Sequence, residues 1–363
     1  DHTGWARFAT RVIRRRWAAA ILALAFLGAL TWVTTHMELG QPRPDSMNGV
    51  GDPQIGLEAL EAAGFDAAVL VPFEVITSGD AVSLAADLRG VDGVTSVIAP
   101  ANWTAEGTSI LAVIVAGDGR ASDFRAMTGQ IRDVTHNTPG NVLVGGAGAF
   151  DADFTDKIYD GFPRMLLVIS IITFLLLMRA FRSVLLPIKA LLMNVLSIGA
   201  SFGVLVLVWQ KGWGSELIWG IPATGAITSW VPIMAFAFLF GLSMDYEVFI
   251  LHRMREAWDR HQDTDSAVVS GLAHTGKLVT CAAMILVLAF VSMGSGPEVT
   301  IKIIATVLAV GILLDATVVR ILLVPALISL MGKWNWWMPG WLAWFGARDE
   351  HVSLEVQKAS PAD

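Results

Sequence analysis

Six long apolar stretches constrain this chain more than any other feature of its sequence. A helix that crosses the hydrocarbon core of a bilayer needs about 20 mostly apolar residues, and each stretch approaches that length. The stretches span residues 17–35, 163–179, 187–209, 230–251, 278–293 and 301–321. Charged residues make up only 16% of the chain, against roughly 25% in soluble domains. The pattern predicts a membrane protein built on an all-α bundle of six transmembrane helices.

Basic residues at the ends of these stretches indicate how the helices are oriented. Lys and Arg favour cytoplasmic loops, and all the basic clusters fall on one side if the six helices alternate in direction. The clusters are Arg11, Arg14, Arg15 and Arg16, then Arg179, Arg182 and Lys189 in the loop after the second helix, then Arg253 and Arg255, and Lys277. Both termini are therefore expected to be cytoplasmic, with the protein in the inner (plasma) membrane.

The chain then divides into four parts. Residues 1–36 hold a cytoplasmic basic segment and the first transmembrane helix, and residues 37–160 form an extracytoplasmic domain. Residues 161–332 hold five transmembrane helices, and residues 333–363 form a cytoplasmic C-terminal segment that is aromatic up to about residue 345. Because the chain begins at Asp1 rather than Met, we expect it to be a fragment of a longer protein.

The extracytoplasmic part alternates β-branched apolar runs with helix-like stretches. The runs lie at 67–75, 94–99, 109–117 and 141–146, the helix-like stretches at about 80–89 and 121–135, and an earlier helix near 53–63. The order β-α-β-β-α-β is that of the ferredoxin-like split βαβ unit. A Gly-rich stretch at 145–156 is predicted to be a flexible joint into the membrane. We therefore expect an α+β domain outside the membrane.

Asp245 and Tyr246 lie within the fourth apolar stretch. An ionised Asp at membrane depth is disfavoured by ~2.5 to 3.5 kcal/mol, so we expect Asp245 to face the bundle interior or a wet cavity and to carry a proton reversibly. Adjacent residues point in different directions on a helix, so the two side chains are expected to meet partners on a facing helix. The alternative is that Asp245 makes only a structural hydrogen bond between helices.

Three further charged residues accompany this pair. Glu247 is expected to form a salt bridge or face water rather than carry a proton. Asp315, in the last apolar stretch, lies at about the depth of Asp245, and both a functional and a structural role are open for it. Arg320 lies about 140° round an α-helix from Asp315, so we expect it to reach another helix or snorkel to the cytoplasm.

Several function classes find no support in the sequence. It contains no P-loop or other nucleotide motif, which argues against direct use of ATP. It shows no catalytic triad, paired surface carboxylates or metal-ligand spacing, and its net charge of −7 suits no nucleic-acid surface. We therefore expect no enzyme activity, no metal, no nucleic-acid partner and no cofactor other than protons.

Three segments resemble the mycobacterial membrane protein large (MmpL) family of the resistance-nodulation-division (RND) superfamily. They are GLSMDYEVFILHRMREA, DTDSAVVSGLAHTGKLVTCAA and LLDATVVRILLVPALISLMGKWNWWMPG. One helix, an external split βαβ domain and five further helices are the layout of one half of such a transporter, here the C-terminal half. The MDYEVF form is most similar to the branch that exports trehalose mycolates and related envelope lipids.

The resemblance implies roles for particular residues. Asp245 and Tyr246 match the proton relay of the family, and Asp315, Arg320 and Glu247 would support it. Residues near the relay would line a pocket for small-molecule inhibitors, and these are Gly241, Leu242 and Phe249. The segment 37–160 would be a porter domain, and the partner of Asp245 would lie on an N-terminal half or on a second half-size chain.

The predicted function is therefore export of a lipid or glycolipid, driven by the proton motive force. Three alternatives stay open from the sequence. The same machinery could export small molecules or antibiotics, or it could assist protein secretion. A membrane scaffold without transport activity is the third.

Overall fold

Long helices make up most of the structure, a computed structural model that describes residues 4–40, 42, 46, 52–65, 67–116 and 121–340. The helices are α1 (Gly4–Arg14), α2 (Arg16–Thr34), α3 (Asp52–Ala62), α4 (Ala81–Arg89), α5 (Ala121–His136), α6 (Ala147–Phe181), α7 (Leu185–Leu205), α8 (Ser215–Trp219), α9 (Val231–His261), α10 (Thr264–Met293), α11 (Val299–Leu314) and α12 (Val324–Met331). A π-helical segment extends α7 over Val206–Gln210, and another joins α11 to α12 over Asp315–Leu323.

Among the described residues, six helical units are long and apolar enough to cross a membrane, which confirms the prediction of a six-helix, multi-pass membrane protein. They contain α2, α6, α7, α9, α10 and the continuous unit from α11 through α12. That last unit lies at the centre of the bundle, because 67% of its most apolar window is buried, against 17% for α2 and 11% for α6. Polar groups on α11 and α12 are therefore held inside protein rather than exposed to lipid.

Helices α2 and α7 pack closely through two glycines on α7. Gly199 and Gly203 are four residues apart, the spacing that lets two membrane helices approach backbone to backbone. A Cβ on Gly203 would lie 2.6 Å from the carbonyl carbon of Leu30 and would overlap its oxygen. Thr34 Oγ1 donates a hydrogen bond to the Gly199 carbonyl at 2.7 Å, and Thr31 Oγ1 donates to the Leu196 carbonyl at 3.2 Å. These contacts fix α2 against α7.

A small antiparallel sheet lies between α3 and α6 in the chain. Its strands are β1 (Phe73–Thr77), β2 (Val94–Ile98), β3 (Thr104–Ala105), β4 (Thr108–Val115) and β5 (Val142–Gly146). The strand order is β2-β4-β1-β5, with β3 paired to β4. Alternate residues of β1 and β4, such as Phe73 and Leu111, are fully buried with Leu88 of α4 and Ile131 of α5. One face of the sheet therefore packs on the two helices.

The predicted positions of strands and helices in this region agree with the structure except at two places. The run at 67–75 begins with a turn of 3-10 helix over Ala67–Leu70, so the strand starts only at Phe73. The short strand β3 was not predicted. It forms where the chain turns before β4, with Glu106 and Gly107 in the left-handed region at φ values of 52° and 76°.

The predicted flexible joint at 145–156 is wrong, because α6 begins directly after β5 and runs unbroken to Phe181. The glycines there serve close packing instead of flexibility. Gly146 has a φ of 90°, and a Cβ on it would lie 2.6 Å from the Pro72 carbonyl oxygen. A Cβ on Gly148 would lie 2.7 Å from the Phe124 ring. Strand β5 is therefore joined to the membrane by one continuous helix, α6.

Helix α6 touches the start of α9 at one polar contact. Thr155 Oγ1 donates to Ser229 Oγ at 2.6 Å, and the Tyr159 hydroxyl donates to the Ser229 carbonyl at 3.0 Å. Ser229 lies two residues before α9 begins at Val231. This contact links the helix that carries the sheet to the helix that carries Asp245.

The aromatic C-terminal segment is described only as far as residue 340, and residues 341–363 lie outside the described part. Trp336 is buried and stacks on Trp258 of α9, with ring centroids 5.3 Å apart. Asn335 Nδ2 donates to the Ile328 carbonyl at 2.7 Å, and Ser183 Oγ donates to the Asn335 carbonyl at 2.6 Å. This part of the segment therefore packs on the bundle.

Candidate functional site

A buried ion pair between Asp315 and Arg320 lies at the centre of the bundle. Arg320 Nε donates to Asp315 Oδ2 at 2.8 Å, and Nη2 lies 2.7 Å from the same oxygen. The two side chains are only 3% and 11% exposed for Arg320 and Asp315 respectively. A buried ion pair of this kind is a weak source of stability, but removing one partner leaves a costly uncompensated charge.

The pairing corrects the expectation that Arg320 points away from Asp315. That expectation assumed α-helical geometry, whereas Asp315–Leu323 is π-helical. In a π-helix each backbone bond spans five residues, so residues five apart come onto the same face. Single turns of π-helix frequently occur at functional sites. The local widening of the helix is therefore what brings the guanidinium onto the carboxylate.

Arg320 also reaches another helix, as expected. Its Nη2 donates to both the carbonyl and the Oγ of Ser243 on α9, with 3.0 Å to Oγ. The guanidinium carbon lies 5.5 Å from the centre of the Tyr246 ring, within the range of a cation–π interaction. Arg320 thus connects the carboxylate of the central helix to the α9 segment that carries Asp245 and Tyr246.

A small cavity of about 10 Å³ lies beside this ion pair. A water molecule needs about this much space. Its lining includes Asn194 and Ser197 of α7, Leu242 and Tyr246 of α9, and Asp315. Of the three residues predicted to line a pocket, only Leu242 borders this cavity.

Asp245 itself is exposed on the described part of the chain and does not face the interior of these six helices. It belongs to a stripe along α9 that we call the α9 open face. The exposed residues of this face are Ala237, Phe238, Gly241, Asp245, Val248, Phe249 and His252. A Cβ on Gly241 would have no atom within 4 Å. Gly241 and Phe249 therefore lie on this face with Asp245 and not at the cavity, and the facing partner of Asp245 stays a prediction.

Glu247 points the opposite way and is buried, with 6% of its surface exposed. The charged groups that act on it are Arg320, Lys189 and Asp315. Lys189 is equally buried and lies inside α7, so its assignment to a cytoplasmic loop is wrong. Neither Glu247 nor Lys189 has an ion-pair partner within 4.0 Å in the described part of the chain. The burial of Glu247 excludes the expected water-facing position within this chain. The expected salt bridge is not formed either, because no cation lies close enough among the described residues.

Sequence reasoning therefore missed two residues of the site, Ser243 and Lys189. Ser243 gives no signal of its own, because serines are common in membrane helices as packing residues. Lys189 does give one, since it follows the apolar run Leu185–Ile188 and precedes another. A lysine flanked on both sides by apolar residues is a candidate for a buried charge rather than for a loop.

Comparisons with known proteins agree with this architecture. The model of the MMPL family matches residues 80–348. A mycolic acid-containing lipids exporter, MmpL11 of Mycolicibacterium smegmatis, is 33% identical over 357 residues, covering 93% of this chain and 37% of that protein. The heme uptake protein MmpL11 of Mycobacterium tuberculosis is 33% identical over 353 residues, covering 93% and 36%. The trehalose monomycolate exporter MmpL3 of M. smegmatis is 36% identical over 249 residues, covering 67% and 24%.

The chain spans little more than a third of the length of the MmpL11 relatives it matches. The family match nevertheless extends over most of the chain, from α4 of the sheet region to beyond the last membrane helix. The six apolar helices agree with a membrane transporter. Together these findings confirm the resemblance read from the sequence, and the chain belongs to the MMPL family of membrane transporters.

Proposed function

We propose that this chain is one half of a transporter that exports lipid or glycolipid and is driven by the proton motive force. The observation that carries the proposal is the buried Asp315–Arg320 pair, which Arg320 ties to Ser243 and Tyr246 beside Asp245. The names of two relatives, a mycolic acid-containing lipids exporter and a trehalose monomycolate exporter, support lipid as the cargo.

Proton binding at Asp245 would act on this arrangement through α9. The ionised carboxylate favours polar surroundings at membrane depth, and the protonated form tolerates apolar ones. Binding and release of the proton at Asp245 would therefore change whether the α9 open face is more stable against polar or against apolar surroundings. Because Arg320 bonds to Ser243, two residues before Asp245, a shift of α9 must pull on the central helix.

The remaining architecture follows from the family. The α9 open face would pack against the other half of the transporter, supplied by the same polypeptide or by a second half-size chain, with small-molecule inhibitors entering at Gly241, Leu242 and Phe249. The sheet order β2-β4-β1-β5 suits a ferredoxin-like porter domain. We place that domain outside an inner membrane and both termini in the cytoplasm, as the basic residues favour.

The test replaces Asp245→Asn and, separately, Tyr246→Phe in the complete transporter. Export of labelled lipid should fall to the level of cells without the transporter, while the amount of protein in the membrane stays unchanged. Asp160→Asn, an exposed acid on α6, is the matched control and should export normally. Unimpaired export by the Asp245→Asn variant would rule out proton carriage by this residue.

Heme is a second candidate cargo, because one relative is named a heme uptake protein. The direction of transport differs between the two candidates. Cells that lack the transporter should retain lipid inside if it is an exporter, and should fail to grow on heme as iron source if it imports heme. If the transporter exports antibiotics, cells that lack it should become drug-sensitive, with neither retained lipid nor a defect in growth on heme.

A further inference from the structure

We propose that Lys189 and Glu247 form a second proton-binding pair, through which a proton passes between the Asp315–Arg320 pair and the end of the bundle where α9 finishes. The inference rests on the proposed proton-driven function and adds Lys189 as a working residue of that site. Both side chains are 6% exposed and lie on different helices, α7 and α9. Their burial at membrane depth is costly unless each serves the other.

The polar atoms of this region point to exchange through water rather than to a fixed salt bridge. Within the described residues, Lys189 Nζ, Glu247 Oε1 and Arg320 Nη1 are buried without a hydrogen-bond partner. Buried polar atoms are normally satisfied by protein or by ordered water, so such atoms mark strain, a working group or a place where a water or ion binds. Here the three atoms belong to charged side chains, and the charges of Lys189 and Arg320 both attract that of Glu247.

The charges of the cluster balance, which allows proton transfer without leaving net charge in the membrane. Asp315 and Glu247 contribute two negative charges, and Lys189 and Arg320 two positive ones. When the Lys189 ammonium gives a proton to the Glu247 carboxylate, an amine and a carboxylic acid result, and the pair is neutral before and after. Arg320 stays protonated throughout. A complete passage then balances. The carboxylic acid releases its proton on one side, which leaves the pair at −1, and the amine takes up a proton from the other side, which restores a neutral pair.

The position of the pair suits a step between the ion pair and the end of the membrane. Glu247 follows Ser243, the α9 contact of Arg320, by four residues, or ~6 Å along the helix. Lys189 is the fifth residue of α7 and lies near the end where Arg255 of α9 donates to the Phe181 carbonyl at 3.1 Å. Asn194, five residues after Lys189, lines the small cavity beside Asp315. Ser243 and Glu247 share one face of α9, which leads from Arg320 toward this end of the bundle.

The competing explanation is that Lys189 and Glu247 only hold α7 and α9 together. The two explanations differ for a double variant, Lys189→Met with Glu247→Leu, which removes both charges at similar volume. Replacing a whole buried ion pair by apolar residues is often neutral or stabilising, so a structural pair would be dispensable in this variant. A proton-binding pair would not be.

The experiment measures the complete transporter in liposomes, with a pH-sensitive dye inside and labelled lipid as cargo. We expect the double variant to fold normally, by its unfolding transition in detergent, and to lose both proton movement and lipid transport to the level of empty liposomes. The matched control is Lys211→Met with Glu216→Leu, two exposed residues outside the helical core of the site. It should transport normally.

Retention of transport by the double variant overturns the proposal, as does a double variant that does not fold, since the pair would then be structural. Asp245→Asn is measured in parallel, because its result distinguishes a failure of the proposed function from a failure of the proposed role of Lys189 and Glu247. If Asp245→Asn also transports normally, the proposed function fails. If Asp245→Asn is inactive and the double variant active, only the role of Lys189 and Glu247 is refuted.

Discussion

Replacing Gly203→Ala should weaken the contact between α2 and α7. The added Cβ would overlap the Leu30 carbonyl oxygen and lie 2.6 Å from its carbon, and a backbone cannot move aside as a flexible side chain can. Overpacking of this kind costs typically ~1 to 3 kcal/mol. The better helix propensity of Ala returns roughly 0.5 to 1 kcal/mol. We therefore expect a net loss of about 0 to 2.5 kcal/mol, centred near 1 kcal/mol, in the free energy of unfolding.

Reversible unfolding of the purified transporter in mixed detergent measures this difference. The control is Gly28→Ala on α2, where a Cβ would have no atom within 4 Å, so only the gain in helix propensity should be seen. Gly203→Ala should therefore lower the midpoint of unfolding and Gly28→Ala should raise it. Equal stabilisation by both would refute the argument that Gly203 is needed for close approach of the two backbones.

Two further changes test the central pair and a helix cap. Arg320→Met should cost ~3 to 5 kcal/mol because it leaves Asp315 buried and unpaired, and adding Asp315→Leu should recover most of the loss in the same unfolding assay. No recovery would show that the loss comes from the contacts of Arg320 with Ser243 and Tyr246 and not from the unpaired carboxylate. Asp263→Ala should cost ~0.5 to 2 kcal/mol, because Asp263 caps α10 by accepting from the Ser266 backbone N–H at 2.8 Å. Hydrogen bonds from Ser266 lower the pKa of Asp263 below its ordinary value of 3.8. The cap is therefore fully effective at neutral pH and is lost as the pH falls through the lowered pKa, so melting curves of Asp263→Ala and the parent should converge in acid, and a constant difference would argue against the charged cap.

The membrane helices could be predicted from the sequence because their length is set by the bilayer and not by tertiary contacts. The strands at 94–98 and 142–146 could be predicted for a similar reason, since short β-branched runs between turn residues have few alternatives. Both signals lie within short stretches of sequence and can be recognised without knowing which elements pack together.

The site was predicted less well, because its geometry depends on departures from local rules. The pairing of Asp315 with Arg320 needs a π-helix, and the usual repeat of an α-helix places the two side chains on different faces. The exposure of Asp245 depends on which face of α9 this chain covers, which composition does not encode. Lys189 was misassigned because lysines near the ends of apolar stretches usually lie in loops, whereas α7 begins four residues earlier, at Leu185.

The unbroken course of α6 from β5 into the membrane makes it a strut that contacts the α9 region at two levels. It touches α9 at Thr155 and Tyr159, both bonded to Ser229. At ~1.5 Å per residue, this contact lies about 15 Å from the sheet end of α6 and about 36 Å from its membrane end. Arg255 of α9 holds the membrane end as well, through its hydrogen bond to the Phe181 carbonyl, so a tilt of α9 acts on α6 at both levels and is passed along the helix to the sheet.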